Sequence, residues 1–149
     1  MAKLTLYHAA PSRSSITRWM LEEIGEPYDI HFLSLSKGDN RSPEYLAVNP
    51  MGKVPALKHG DTVITEAAAI CAYLADEFPH AKLNVPIGTP RRGAYLKWLF
   101  FGPSCIEAAM IDRASPRKEA PRRAMLGYGD FDTVMDVTAK AVATGPYLM

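Results

Sequence analysis

The chain has 149 residues, enough for one ordinary domain or for one complete and one partial domain. Its 17 basic and 16 acidic residues leave a formal net charge of +1, so the overall field gives no reason to expect nucleic acid or an anionic membrane as partner. No apolar run is long enough for a signal peptide or a membrane span, and the distant cysteines Cys71 and Cys105 favour free thiols, so we expect a cytoplasmic protein.

The first predicted elements are a strand over Lys3–Tyr7 and a helix that follows the polar run Ser12–Ser15. Any serine of that run can cap the helix, because a hydroxyl oxygen accepts a hydrogen bond from a free backbone N–H group. Gly25 ends the helix, and His8 is interpreted as a surface or turn residue. Helical spacing predicts one buried apolar face made of Ile16, Trp19, Met20 and Ile24.

A second strand, a short helix and a hairpin complete the first half of the chain. Apolar residues predict the strand over Tyr28–Leu35, and Ser42-Pro43-Glu44 is the start signature of a helix that ends near Val48. The turn His59-Gly60-Asp61 separates two short strand-like runs, and helical spacing resumes from Glu66 to Phe78.

The order βαβ, helix, ββα is that of an α/β thioredoxin-like domain, which we predict over residues 1–79. Residues 80–86 are interpreted as a linker, and residues 87–149 as an all-helical second domain. Within that domain a long helix is interrupted at Gly102-Pro103, where a kink is expected rather than an end. A last helix is predicted from about Pro121 to Ala143.

A proline opens the first strand of the hairpin. Pro55 has no N–H to donate, so it belongs at the start or edge of a strand. A cis Val54-Pro55 bond would turn the backbone N–H and C=O of Val54 outward, towards another peptide-like strand. After the hairpin, Thr65-Glu66-Ala67 starts a helix whose free N–H groups and partial positive charge attract a carboxylate. The segment therefore predicts a site for a small peptide that carries a carboxylate.

One ordered motif runs through this turn, the hairpin and the start of the next helix. Its residues are Asn49, Pro50, Gly52, Val54, Pro55, Leu57, Glu66, Ala69 and Ile70. The motif resembles the glutathione-binding half of the cytosolic glutathione transferases, and by appearance the chain is similar to bacterial, serine-type members. Ala67 departs from the pattern, since the family usually has a hydroxyl residue there. The likeness covers the first domain and about half of the second, so the C-terminal helical domain is expected to be shortened.

The resemblance implies how the tripeptide glutathione, a co-substrate rather than a permanently bound cofactor, is held. The backbone of Val54, next to Pro55, pairs with the cysteinyl unit, and Glu66 holds the γ-glutamyl ammonium. The α-carboxylate meets only the N–H of Ala67 and the helix dipole, so one charge-assisted hydrogen bond worth about 1.5–3 kcal/mol is missing. Lys53 pairs with the glycyl carboxylate, or is a solvated lysine of the turn.

The loop before the first helix supplies the other half of the implied site. It has serines where redox proteins of this fold have C-x-x-C, so dithiol chemistry by the protein itself is excluded. A hydroxyl donor beside the helix N-terminus instead favours the thiolate of glutathione, which is the nucleophile. The resemblance makes Ser12 the first choice for this donor. Ser14 and Ser15 remain alternatives, and so does Tyr7, because tyrosine-type members use a phenol at the end of this strand.

The implied function is that of a glutathione transferase, which adds the glutathione thiolate to a small apolar electrophile without a metal ion. In this family the electrophile binds where the two domains meet, and Ile106 and Met110 are candidate walls of that pocket. The family's two-fold interface implies a homodimer. Two other interpretations stay open: a glutathione-dependent peroxidase or thiol-exchange enzyme, and a non-catalytic binding protein that kept the fold.

Overall fold

The computed structural model describes residues 3–119, 121–143, 145, 147 and 148. The chain divides between Asn84 and Val85 into two compact units, and this division lies inside the predicted linker. The outer ends of the two predicted domains, residues 1 and 149, lie outside the described residues.

The first unit is an α/β domain built on one mixed sheet. Its elements are β1 (Leu4–His8), α1 (Ser14–Ile24), β2 (Tyr28–Phe32), α2 (Pro43–Val48), β3 (Ala56–His59), β4 (Thr62–Thr65) and α3 (Ala67–Glu77). The strand order is β2-β1-β3-β4. β1 and β2 are parallel, which requires the crossover that α1 provides, while β3 pairs antiparallel with both β1 and β4. The predicted thioredoxin-like fold is confirmed.

The main core of this unit lies between one face of the sheet and helices α1 and α3. Residues alternate along β1, so that Leu6 and His8 are buried on this face while Tyr7 lies on the other. The apolar residues that cluster in the core are Leu4, Leu6, Leu21, Ile24, Leu57, Ile70, Leu74 and Phe78. On the opposite face a smaller cluster around Tyr45 of α2 packs against Tyr7. The end of β1 is therefore held from both sides, next to the start of α1.

The buried face of α1 is not the one that the apolar pattern predicts. The buried residues are Ser14, Thr17, Leu21 and Ile24. Ile16 and Trp19, which were expected to be buried, are 51% and 69% exposed. The buried stripe has helical spacing, but its first two positions are polar. Ser14 is buried because its hydroxyl finds hydrogen-bond partners at the end of β1, and a pattern of apolar residues does not include such a position.

Two other boundaries in the first unit have local causes. β2 ends at Phe32, before the predicted Leu35, because the N–H of Ser34 donates to the carboxylate of Asp39 at 2.8 Å and the chain turns into a short 3₁₀ helix. α2 follows the predicted bounds. The hydroxyl of Ser42 caps it by accepting from the N–H of Tyr45 at 3.2 Å.

The described part of the second unit is helical, as predicted, and contains no strand among residues 85–119, 121–143, 145, 147 and 148. Its elements are α4 (Arg91–Phe101), a π-helical segment (Gly102–Glu107), α5 (Ala108–Ala114) and α6 (Phe131–Val142). The helical chain thus continues through Gly102-Pro103 as wide turns, where Pro103 has no N–H to give to a regular helix. None of the described helices has the length and apolar content needed to cross a membrane.

The predicted start of the last helix was wrong. α6 begins at Phe131 rather than near Pro121, because the carboxylate of Asp130 accepts the N–H of Thr133 at 2.8 Å and caps the helix there. The segment after Pro121 contains only a 3₁₀ turn over Arg123–Met125. The side-chain cap at Asp130, further along the chain, sets the boundary.

Candidate active site

Strand register brings three segments of the candidate site to one end of the sheet. Tyr7 of β1 lies opposite Ala56 of β3, and Ala56 lies opposite Thr65 of β4. Pro55, which precedes Ala56, and Glu66, which follows Thr65, therefore leave the sheet at the same end as the loop after β1. The loop after β1, the turn at Val54-Pro55 and the start of α3 at Glu66 therefore share this end of the first unit.

The turn before β3 is fixed through one backbone carbonyl. The amide Nδ2 of Asn49 donates to the carbonyl oxygen of Lys53 at 2.7 Å, and the phenol of Tyr45 donates to the same oxygen at 2.5 Å. The Oδ1 of Asn49 accepts the N–H of Met51 at 3.1 Å. Asn49 is buried, and burial raises the pKa of the Tyr45 phenol, so Tyr45 remains a donor across the physiological pH range. These bonds hold the backbone immediately before Val54.

Gly52 has a conformation and surroundings in this turn that only glycine fits. Its φ is +62°, and a Cβ atom there would lie 2.7 Å from the backbone oxygen of Asn40 and 2.9 Å from Nη1 of Arg41. The close approach of Gly52 to Asn40 allows a hydrogen bond, in which Nδ2 of Asn40 donates to the carbonyl of Gly52 at 2.8 Å. The turn is thereby attached to the segment that precedes α2.

The backbone N–H and C=O of Val54 make no hydrogen bond among the described residues. The Val54-Pro55 bond is cis, as the sequence suggested, and Pro55 is buried while Lys53 is exposed. Val54 itself is half-buried. An unpaired N–H and C=O next to a strand can accept an extended peptide.

The start of α3 combines an open helix end with a strained residue. Glu66 has φ 68° and ψ 116°, a region that side-chain-bearing residues rarely adopt, and its side chain is exposed. The first helical hydrogen bond runs from the N–H of Ile70 to the carbonyl of Glu66 at 2.9 Å. No side chain caps the helix among the described residues, so the N–H of half-buried Ala67 points out of the helix end. An anion placed there gains both N–H contacts and the helix dipole.

A row of short hydrogen bonds leads from β1 into the loop before α1. Nδ1 of His8 lies 2.7 Å from the hydroxyl oxygen of Ser14, which lies 2.6 Å from that of Ser12. The Ser12 hydroxyl also lies 2.6 Å from the carbonyl of Ala9 and accepts the N–H of Ser14 at 3.1 Å. Ser14 is fully buried, whereas Ser12 is half-buried. Of these two serines, only Ser12 is partly exposed to solvent.

His8 is buried, so its interpretation as a surface or turn residue was wrong. Its ring packs edge-on against Phe32, with the centroids 5.8 Å apart. Burial, together with the positive charge of Arg18, lowers the pKa of His8 below its ordinary value. The ring is therefore neutral at physiological pH, and one of its nitrogens carries a hydrogen while the other accepts.

The alternative donor Tyr7 has a different environment from Ser12. Its ring lies 5.1 Å from that of His31 and 5.6 Å from that of Tyr45, centroid to centroid, in the cluster on the α2 face of the sheet. The pocket candidates Ile106 and Met110 belong to the second unit, where Ile106 is half-buried in the π-helical segment and Met110 is exposed in α5.

The family profile "Glutathione S-transferase, N-terminal domain" matches residues 2–76, which is half of the chain. The chain belongs to the glutathione S-transferase family. Among curated relatives, a probable glutathione S-transferase of Oryza sativa subsp. japonica is 45% identical over 76 residues, covering 50% of this chain and 35% of the relative. Glutathione S-transferase 1 of Schizosaccharomyces pombe is 34% identical over 110 residues, covering 70% of this chain and 48% of the relative. The chain thus spans about a third to a half of the length of these relatives.

A solved transferase structure matches both units of the chain. The glutathione transferase URE2P6 of Phanerochaete chrysosporium, in complex with oxidized glutathione, superposes with a TM-score of 0.78 at 28% identity. The match covers 99% of this chain and 71% of that one. The transferase family, a thioredoxin-like first domain and a helical second unit are therefore features of this chain.

Sequence reasoning missed three residues that support this candidate site. Tyr45 and Asn40 hold the turn before Val54, and His8 holds Ser14. Each acts through a hydrogen bond to a residue distant in sequence or across an element boundary, which spacing along the chain does not reveal. Of the three, only Tyr45 has a local sequence signal for its position, because it lies three residues after the helix cap Ser42.

Proposed function

We propose that this chain binds glutathione and that Ser12 stabilises the glutathione thiolate for attack on an apolar electrophile. The observation that supports this most is the register of Tyr7, Ala56 and Thr65, which gathers a hydroxyl donor, an unpaired peptide unit and an open helix end. These groups complement a thiol, a peptide backbone and a carboxylate, all of which glutathione contains. The oxidized glutathione bound to the Phanerochaete chrysosporium transferase supports the choice of ligand.

The binding half of the proposal assigns one part of glutathione to each segment. Val54 pairs through its backbone with the cysteinyl unit, and Lys53 faces the glycyl carboxylate. The carboxylate of Glu66 holds the γ-glutamyl ammonium, and the N–H of Ala67 meets the α-carboxylate. The hydrogen bond from Asn49 to the carbonyl of Lys53 fixes the backbone next to Val54 before the ligand binds, which lowers the conformational entropy lost on binding.

The catalytic half of the proposal requires Ser12 to change its hydrogen bond. Its hydroxyl donates to the carbonyl of Ala9 at 2.6 Å in the structure, so it rotates towards the sulfur when glutathione binds. The hydrogen bond and the start of α1 lower the pKa of the thiol, whose proton passes to solvent. With an aryl halide, the sulfur lone pair forms the S–C bond and the halide leaves with the electron pair of the broken C–halogen bond. No metal ion or prosthetic group takes part in this step.

The test compares Ser12→Ala with Ser15→Ala in the first turn of α1. Ser15 is exposed, and its backbone N–H donates to the carbonyl of Ser12, so removal of its hydroxyl is a matched control. We expect the unaltered protein and both variants to be retained on immobilised glutathione. Ser12→Ala should lower kcat with an aryl halide by about 100-fold, as for loss of one donor to a developing anion, while Ser15→Ala keeps full activity.

Three outcomes would contradict parts of the proposal. Failure of the unaltered chain to bind glutathione at millimolar concentration removes the binding function. Equal activity of Ser12→Ala and Ser15→Ala removes Ser12 as the donor. If only Tyr7→Phe loses activity, the thiolate donor is Tyr7 rather than Ser12. Its packing in the aromatic cluster with Tyr45 argues against that role.

A non-catalytic glutathione-binding protein is the second candidate function. Two observations favour it: the Ser12 hydroxyl is engaged with a backbone carbonyl, and Ala67 brings no hydroxyl to the α-carboxylate. Binding without measurable turnover of any electrophile would support it. A thiol-exchange enzyme has less support, because burial raises the pKa of Cys71 to about 11 and the Ser12–Ser15 loop has no cysteine.

For the electrophile we propose an apolar compound that contacts Ile106 and Met110. Both side chains are apolar and neither is fully buried in the second unit. Met110→Lys should raise KM for the electrophile and leave KM for glutathione unchanged, since the latter is assigned to the first unit. A parallel change of both constants would contradict this assignment.

We also propose a homodimer in the cytoplasm. Family resemblance supports the dimer, and light scattering coupled to size exclusion tests it directly. Both cysteines are free, and a reducing compartment keeps thiols in that state. A mass of one chain in solution would contradict the dimer.

A further inference from the structure

The row of hydrogen bonds at the start of α1 limits where its hydrogens can be. Nδ1 of His8, the hydroxyl oxygen of Ser14 and the hydroxyl oxygen of Ser12 are joined by contacts of 2.7 Å and 2.6 Å. At such distances each pair of electronegative atoms must share a hydrogen, because two bare lone pairs would repel. Ser12 and Ser14 have one hydroxyl hydrogen each, and His8 has one hydrogen on either ring nitrogen.

Counting these hydrogens shows which donors precede Ser12 in the row. The 2.6 Å contact from Ser12 to the Ala9 carbonyl can contain only the hydrogen of Ser12, and it has to open when Ser12 gives that hydrogen to a thiolate instead. In both cases the 2.6 Å contact to Ser14 has to contain the hydrogen of Ser14. The 2.7 Å contact from Ser14 to His8 then needs a hydrogen on Nδ1 of His8. In the opposite tautomer, with the hydrogen on Nε2, Ser14 donates to His8 and Ser12 has to donate inward. The tautomer of His8 therefore decides the direction of the whole row.

The other contacts of Ser14 agree with the outward direction. The N–H of Ala9 donates to the Ser14 hydroxyl oxygen at 3.2 Å. That oxygen then accepts from Ala9 and His8 and donates to Ser12, which uses both lone pairs and the one hydrogen. The carbonyl of Ala9, 3.1 Å from the Ser14 oxygen, is a longer and weaker alternative acceptor than Ser12 at 2.6 Å.

We propose that His8 and Ser14 are positioning residues for Ser12, with hydrogen bonds running from Nδ1–H of His8 to Ser14, from Ser14 to Ser12, and from Ser12 to the ligand thiolate. This inference rests on the proposed role of Ser12. Hydrogen bonds in a row polarise one another, so each donor upstream makes the Ser12 hydroxyl a stronger donor. His8 and Ser14 are buried, so they do not touch the ligand and act only through Ser12.

The test measures the pKa of the bound glutathione thiol. This pKa would not change if His8 had only a structural role. It is measured from the ultraviolet absorbance of the thiolate in the complex during a pH titration. Ser12→Ala should raise this pKa by about 1–2 units through loss of the direct donor. His8→Leu should raise it by about half a unit through loss of polarisation, with the affinity for glutathione nearly unchanged.

Two further variants complete the comparison. His8→Asn can place an amide N–H where Nδ1–H was, so it should restore the thiol pKa of the unaltered protein. His80→Leu, at an exposed histidine just after α3, controls for loss of an imidazole and should have no effect.

The outcomes separate this inference from the proposed function. An unchanged thiol pKa in His8→Leu, with a raised one in Ser12→Ala, overturns the positioning role and leaves the function intact. An unchanged pKa in Ser12→Ala overturns both. Nitrogen NMR of the unaltered protein with bound glutathione needs no variant to fold: a hydrogen on Nδ1 of His8 is expected, and one on Nε2 alone would refute the inference.

Discussion

Gly52→Ala is the sharpest test of how the turn before β3 supports the proposed glutathione site. The new Cβ atom would lie 2.7 Å from the backbone oxygen of Asn40, where ordinary contacts begin at 3.4 Å. The oxygen belongs to the backbone and cannot rotate away as the end of the Arg41 side chain can. The turn therefore has to move by several tenths of an ångström, and Val54 moves with it.

The size of the effect follows from two contributions. Alanine at φ +62° costs about 1 kcal/mol relative to glycine, less the gain from a stiffer unfolded chain. The overlap with Asn40 adds about 1–3 kcal/mol, the usual range for overpacking. Gly25→Ala is the matched control, because Gly25 has φ +76° but no atom within 4 Å of its Cβ position. We expect a loss of about 2–4 kcal/mol for Gly52→Ala and at most about 1 kcal/mol for Gly25→Ala.

Urea unfolding followed by circular dichroism measures the stability, and calorimetric titration measures the affinity for glutathione. Gly52→Ala should weaken glutathione binding by about tenfold, which corresponds to one impaired backbone hydrogen bond, while Gly25→Ala binds normally. Equal losses of stability in the two variants would refute the steric argument. Full affinity in a destabilised Gly52→Ala protein would show that the turn does not position Val54 for the ligand.

Two other predictions concern single side chains. Ala67→Ser should tighten glutathione binding by about tenfold in a calorimetric titration, because it restores a hydroxyl beside the α-carboxylate, while Ala68→Ser should not; equal effects would contradict the assignment. Cys71, whose pKa burial raises to about 11, should react slowly with an aromatic disulfide reagent at pH 8 and faster by about tenfold per unit as pH rises towards that pKa, as mass spectrometry of the labelled peptide would measure. Rapid labelling of Cys71 at pH 8 would be inconsistent with the raised pKa of this half-buried thiol.

The element order was predictable because several boundaries in the first unit have a local signal. Ser42 and Pro43 mark the start of α2, the turn at Gly60-Asp61 separates β3 from β4, and Gly25 ends α1 in the left-handed conformation. The turn motif around Val54 and Pro55 likewise depends on residues adjacent in sequence. Boundaries set by residues close in sequence can be predicted from the sequence without knowledge of tertiary contacts.

The remaining features depend on contacts between distant segments. Ser14 is polar and yet fully buried, because His8 at the end of β1 satisfies its hydroxyl. That pairing rotates α1 so that Trp19 is exposed, which an apolar pattern does not predict. The support of the Lys53 carbonyl by Tyr45 has the same origin, since only the folded chain brings α2 under the turn.

The left-handed backbone of Glu66 implies a conflict between robustness and recognition. Glycine has no Cβ atom to clash at φ 68°, so it would relieve part of a strain of about 1–3 kcal/mol. The same replacement removes the carboxylate proposed to meet the γ-glutamyl ammonium. Selection of this chain for heat tolerance alone would therefore favour Glu66→Gly and discard ligand affinity, whereas selection for binding keeps a residue that makes the fold less stable than it could be.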